Sequence, residues 1–169
     1  MKILRSAIYT LAIVLAGVFM AQAQNTRKDK KAAKEAEFKK TIEAGSYTFT
    51  AQQANPLRGG TWQLTGSYYD LRVVKDTIVA FLPFFGRAYL APMNPDDAGF
   101  KFTSTKFTYT SNLKKSGYEI VIKPTDTKDV RQMILNVSLA GYATLSITSM
   151  NRDQISFYGT VEANKKTNL

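Results

Sequence analysis

The stretch DVRQMILNVSLAGYATLSITSM, residues 129–150, carries the clearest folding signal in the chain. Apolar and polar residues alternate on both sides of Leu139-Ala140-Gly141, which is typical of two β-strands joined by a tight turn. A three-residue loop puts Gly141 in the left-handed conformation that such loops require. The stretch therefore predicts an antiparallel hairpin with one apolar face, in which Val137 lies opposite Ala143, Leu135 opposite Leu145 and Met133 opposite Ile147.

A second hairpin is predicted around Lys75-Asp76, within residues 68–83. With those two residues as the turn, one face is wholly apolar, because opposite pairs share a face of the sheet. The predicted pairs on that face are Val73 with Ile78, Leu71 with Ala80 and Tyr69 with Leu82. The other face pairs Arg72 with Val79 and Asp70 with Phe81.

A third hairpin is predicted on either side of the loop at residues 112–117, NLKKSG. Phe107 and Tyr109 alternate with polar residues before the loop, and Ile120 and Ile122 do so after it. A six-residue loop places Tyr109 opposite Ile120 and Phe107 opposite Ile122.

From Gly45 onward the pattern changes from helical to alternating, and roughly nine to eleven strands follow with short connections. Short connections force neighbouring strands to run antiparallel. A long twisted sheet curls or folds over, because open edges are exposed to pairing. We therefore expect a mainly β fold, an antiparallel meander that closes into a β-barrel-like or curved two-layer sandwich, with one N-terminal α-helix. The β domain spans residues 45–163, and residues 164–169 form a frayed tail.

Residues 1–23 resemble a secretory signal peptide in their physical pattern. Lys2 and Arg5 precede an apolar segment that is short for a membrane span, and Ala21-Gln22-Ala23 gives the small residues of a cleavage site. Removal of this segment leaves 146 of the 169 residues, the size of one domain. Residues 24–44 follow as a basic helical segment that ends at Gly45. A solvated helix and contact with an anionic membrane surface are both open for it.

Composition excludes several kinds of chemistry. The chain has no His and no Cys, so it cannot form a Ser-His-Asp triad, a thiol nucleophile or an ordinary zinc site. We expect no enzymatic activity, no catalytic residue, no metal and no cofactor. The chain without residues 1–23 holds 21 basic and 13 acidic residues, and half of that excess of eight lies within residues 27–40. The body therefore lacks the uniform basic surface that nucleic acid requires.

The block YYDLRVVKDTIVAFLPFFGRAY, residues 68–89, resembles a family of secreted Bacteroidetes proteins known as domain of unknown function 4251. The signal peptide, the Lys-rich helix and the closing hairpins share in the resemblance, which covers about residues 35–163. Residues 82–89, LPFFGRAY, are its most specific part. The resemblance implies a single exported domain, periplasmic or outer-membrane-associated in a Gram-negative bacterium. It implies no activity and gives no residue a role.

The segment after Pro83 is the candidate ligand-binding site. Phe84, Phe85, Arg87 and Tyr89 combine apolar surface with one cation, which suits an apolar or amphipathic ligand with an anionic group. The sequence therefore predicts an exported non-catalytic domain that binds such a small molecule. The alternative is a structural protein, or one that binds an envelope protein through the basic helix or a sheet edge.

Overall fold

The computed structural model of this chain describes residues 33, 35–65, 68–89 and 99–164. The predicted signal peptide, residues 24–32 and 34 of the basic segment 24–44, and residues 165–169 of the predicted tail lie outside these ranges. The chain divides into two compact units, Met1–Glu37 and Phe38–Leu169. In the first unit, the described residues 33 and 35–37 are helical. The strands, the core and the candidate site described below belong to the second unit.

One helix and ten strands are described. Helix α1 covers residues 35–43 and ends before Gly45, whose φ of 59° lies in the left-handed region that favours glycine at a helix end. The strands are β1 Ser46–Pro56, β2 Trp62–Gln63, β3 Asp70–Val74, β4 Thr77–Leu82, β5 Phe100–Ser104, β6 Phe107–Lys114, β7 Gly117–Pro124, β8 Val130–Ser138, β9 Tyr142–Ser149 and β10 Ile155–Ala163.

All strand pairs are antiparallel and belong to one sheet with the order β5-β4-β3-β1-β10-β9-β8-β7-β6, with β2 beside β1. The sheet curls into a half-barrel, so the predicted mainly β, barrel-like fold is confirmed. The first and last strands of the domain, β1 and β10, lie side by side at its centre. Strands β5 and β6 follow each other in sequence but form the two ends of the sheet.

Two of the three predicted hairpins have the predicted register. Val137 pairs with Ala143 across a turn in which Gly141 has a φ of 87°, and Val73 pairs with Ile78 across the turn at Lys75 and Asp76. Strand β3 begins at Asp70, so the predicted pair of Tyr69 with Leu82 lies outside the ladder.

The predicted register of the third hairpin is wrong by two residues. Tyr109 pairs with Ile122 and Phe107 pairs with Pro124. The six-residue loop is in fact a two-residue turn at Lys115 and Ser116, because both strands continue through the polar residues that the prediction placed in the loop.

The core lies on the concave face of the sheet, where apolar side chains of nine strands meet the end of α1. Ile42, Tyr47 and Phe49 are fully buried at its centre. The Tyr47 hydroxyl lies 3.3 Å from that of Tyr109, which reaches across from β6. Because Tyr109 also lies 3.5 Å from the Ile42 carbonyl oxygen, the helix end and both halves of the sheet meet at this point. The concave face is therefore occupied by protein side chains here.

The corner between β5 and β6 is held by Asp126, from the loop after β7. Its carboxylate accepts hydrogen bonds from Ser104 Oγ at 2.5 Å and from the backbone amides of Thr105 and Lys106 at 2.9 and 3.1 Å. These bonds hold the pKa of Asp126 below its ordinary value, and the bond from Ser104 contributes most. The two ends of the sheet therefore meet at this corner, although no ladder joins them.

Candidate functional site

The predicted site residues lie in the segment between β4 and β5, where Phe84 and Phe85 are half-buried and Arg87 and Tyr89 are exposed. Phe84 packs against the core, where its ring meets Phe100 edge to face at a centroid distance of 5.7 Å. The Arg152 guanidinium lies over both rings, at 5.2 and 5.3 Å. Arg152 also forms an ion pair with Asp129, with Nε 3.0 Å from Oδ2. Phe84 therefore belongs to a largely buried structural cluster.

Phe85 is half-buried against the same core and also stacks on Trp62 of β2. The two rings are parallel within 3° and their centroids are 5.0 Å apart. Trp62 is the only tryptophan in the chain, and 53% of its surface is exposed. A parallel pair with one ring open to solvent offers flat apolar area to a ligand.

Two arginines lie close in sequence to this aromatic pair. Arg87 follows Phe85 by two residues, Arg58 precedes Trp62 by four, and both are exposed. Each guanidinium acts on the pKa of Tyr89 in the lowering direction, so both lie near the Tyr89 phenol. Neither forms an ion pair with a carboxylate of the described residues. Arg58, Trp62, Phe85, Arg87 and Tyr89 are called the arginine–aromatic patch below.

The patch is held in place through Tyr89 and the segment before β10. Ala88 forms an isolated antiparallel bridge with Arg152, the Tyr89 amide donates to the Asn151 carbonyl at 2.8 Å, and the Asp153 amide donates to the Arg87 carbonyl at 3.0 Å. The Tyr89 hydroxyl donates to Asp153 Oδ1, and this hydrogen bond raises the pKa of Tyr89. The backbone that carries Arg87 is thus fixed, while its side chain is exposed.

Two concave regions of the described sheet lie outside the patch. A cleft of about 390 Å³ lies between β5 and the loop at residues 126–130. Its two carboxylates already have partners: Asp126 accepts a hydrogen bond from Ser104, and Asp129 accepts one from Ser149 and pairs with Arg152. A groove of about 220 Å³ contains Tyr142 and Tyr158, whose rings stack with centroids 6.5 Å apart. Its charged member, Lys114, pairs with Glu119 at 3.4 Å. The patch alone combines flat apolar surface with two cations that lack a carboxylate partner in the described ranges.

Within the same ranges, no three Asp or Glu side chains gather in the way that a metal ion requires. None of the helices that are described there is both long and apolar enough to cross a bilayer.

Sequence reasoning missed Arg58 and Trp62. They lie more than twenty residues before the predicted site, and only the fold brings the two segments together. The available signal was a lone Trp and an Arg on either side of Gly59-Gly60, a loop pattern that could present both side chains to solvent.

The fold defines a class of protein: a half-barrel domain whose concave face is filled by its own side chains and which carries an exposed arginine–aromatic patch. Residues 29–161 match the model of the family described as domain of unknown function (DUF4251), and the chain belongs to this family.

A crystal structure of a DUF4251 family protein from Bacteroides eggerthii is similar, with a TM-score of 0.58 and 15% sequence identity over 79% of this chain and 91% of that chain. No curated protein matches the chain.

Proposed function

We propose that the protein is an exported, non-catalytic domain that binds an amphipathic ligand with an anionic group at the arginine–aromatic patch. The observation that carries the proposal is the parallel stack of Trp62 on Phe85, together with two exposed arginines, Arg58 and Arg87, whose charges both act on Tyr89. Export is supported by the signal-like pattern of residues 1–23.

The chemistry of the patch limits the ligand. The exposed face of Trp62 suits an alkyl chain or a flat ring, whereas Arg58 and Arg87 suit a carboxylate, sulfate or phosphate. The filled concave face favours a ligand that lies on the rim of the domain over one enclosed within it.

The position of Trp62 provides a direct assay, because the intrinsic tryptophan fluorescence of this protein comes from the patch alone. Titration with decanoate is expected to change this fluorescence in a saturable way, and the neutral decanol is expected to bind more weakly. Arg58→Gln with Arg87→Gln should weaken decanoate binding about tenfold or more and leave decanol binding unchanged, since a charge-assisted contact contributes about 1.5–3 kcal/mol.

Arg131→Gln is the matched control, because Arg131 is an exposed arginine on β8, outside the patch. Equal weakening by Arg131→Gln would mean that net charge alone attracts decanoate. If fluorescence does not respond to decanoate at any concentration below micelle formation, the proposed ligand class is wrong.

A further inference from the structure

One edge of strand β6 is unpaired among the residues that the structure describes. The strand pairs with β7 along all eight of its residues, and none of the other described strands pairs with it. Residues 110–114 are all exposed, and Leu113 keeps 64% of its surface in contact with solvent. An open strand edge presents backbone donors and acceptors to any further strand.

The hydrogen-bond pattern shows which residues face this edge. The Thr125 amide donates to the Lys106 carbonyl at 2.8 Å, so even-numbered residues of β6 bond to β7. The odd-numbered residues, from Phe107 to Leu113, therefore direct their amide and carbonyl groups to the open edge. Their side chains share the concave face with Tyr109, since side chains alternate along a strand.

The two ends of the sheet differ in how they are protected. Strand β5 has five residues and carries the exposed Lys101 at its second position. The loop at residues 126–130 lies across a cleft from it. Short length, lysine and a covering loop all discourage pairing. Strand β6 has eight residues without proline, glycine or a bulge, and its one charged side chain, Lys114, already pairs with Glu119. Only the β6 edge is therefore suited to pairing.

We propose that the β6 edge pairs antiparallel with the same edge of a second copy of this chain, around a twofold axis at Ser111. In such a pair, the amide and carbonyl groups of the odd-numbered residues in one copy must bond to those in the other. Odd-numbered residues of the two β6 strands therefore lie opposite each other, with their side chains on the same face. An axis at Ser111 places Leu113 of each copy against Tyr109 of the other, and Thr110 against Asn112. The exposed Leu113 side chain then gains an aromatic neighbour. The register is self-complementary, as an isologous dimer requires.

The absence of cysteine makes the register directly testable. In the proposed dimer, position 111 lies opposite itself at about 5.5 Å between Cα atoms, within the range of a disulfide. The two copies of position 113 lie roughly 14 Å apart along the strands, too far for one. Under mild oxidation, Ser111→Cys is expected to form a covalent dimer several-fold faster than Leu113→Cys.

Light scattering on the protein as purified from expressing cells tests the association itself. The wild-type mass is expected to rise towards twice the chain mass with increasing concentration. Ser111→Pro removes an amide that the β6–β7 ladder does not use, and Leu113→Lys adds a charge at the edge, so both should remain monomeric. A wild-type protein that stays monomeric, dimers that persist in both variants, or equal crosslinking at positions 111 and 113 would each overturn the proposal.

Discussion

Ser104 Oγ donates a hydrogen bond to Asp126 Oδ1 at 2.5 Å, and this contact joins the end of β5 to the loop after β7. The same carboxylate accepts the amides of Thr105 and Lys106, so one side chain satisfies the backbone at the corner. The corner is where the two ends of the sheet meet without a ladder. At this corner the hydrogen bonds of Asp126 therefore hold together two parts of the sheet, as the hydrogen bonds between paired strands do elsewhere in the domain.

Asp126→Asn should lower thermal stability at neutral pH, because the charged acceptor of three hydrogen bonds is lost. The folded-state pKa of Asp126 is lowered, so its contribution is present above the ordinary value of 3.8 and is lost as the pH falls through the folded value. The difference in melting temperature between wild type and variant should therefore stay constant above pH 3.8 and shrink as the pH is lowered further. Asp76→Asn, at the exposed β3–β4 turn, is the control, and a similar loss there would contradict the role of Asp126.

Arg152→Ala should destabilise the domain by about 2–3 kcal/mol, because it removes a largely buried cation from two aromatic rings and leaves Asp129 without its ion-pair partner. Urea unfolding measures this difference. Arg131→Ala, on the exposed side of β8, should change stability by less than about 0.5 kcal/mol. Equal effects of the two substitutions would show that the Arg152 contacts contribute little.

Gly159→Ala should destabilise the domain by about 3 kcal/mol or more, at the upper end of overpacking effects. A Cβ atom at this position would lie 2.0 Å from the Thr50 carbonyl oxygen, so the central strands β1 and β10 would have to move apart. Gly60→Ala is the matched control, since a Cβ there meets nothing within 4 Å. Chemical denaturation compares the two, and a Gly159→Ala protein with wild-type stability would show that β1 and β10 shift easily.

The Tyr47–Tyr109 pair should behave non-additively and respond to alkaline pH. Tyr109→Phe leaves the buried Tyr47 hydroxyl without a partner among the described residues and should cost about 1–2 kcal/mol, whereas the double Phe variant should cost less than the sum of its parts. Burial raises the pKa of Tyr47, so its neutral form stabilises the fold below the ordinary value of 10.0 and that stabilisation is lost as the pH rises further.

Stability measured against pH checks this response. Wild type should lose stability above pH 10.0, and Tyr47→Phe should lose less. Parallel losses in the two proteins would indicate that another group causes the alkaline transition.

The register of paired strands could be predicted from the sequence wherever one face of a hairpin is apolar. Val137 and Ala143, or Val73 and Ile78, pair as predicted because a shift of one residue would expose every apolar side chain. The hairpin of β6 and β7 was misplaced because Ser111 and Asn112 are exposed, so the apolar pattern there does not fix the register.

Only part of the candidate site could be predicted from the sequence, because its contacts join segments that are distant along the chain. Phe85, Arg87 and Tyr89 were predicted from their local mixture of charge and aromatic rings. The ring of Phe84 instead lies against the guanidinium of Arg152, 68 residues away along the chain. Asp126, Asp129 and Asp153 look like solvated turn residues in the sequence. Their burial or hydrogen bonding depends on side chains that no local pattern indicates.

The central position of β1 and β10 also determines when the domain can fold. Tyr47 pairs with Ala163, so the middle of the sheet joins residues more than one hundred positions apart. Such long-range pairing makes folding slow, because the chain must close a large loop before these contacts form. During synthesis the growing chain lacks its central ladder until β10 has emerged, and a chain truncated before Ile155 would expose two new edges in the middle of the sheet.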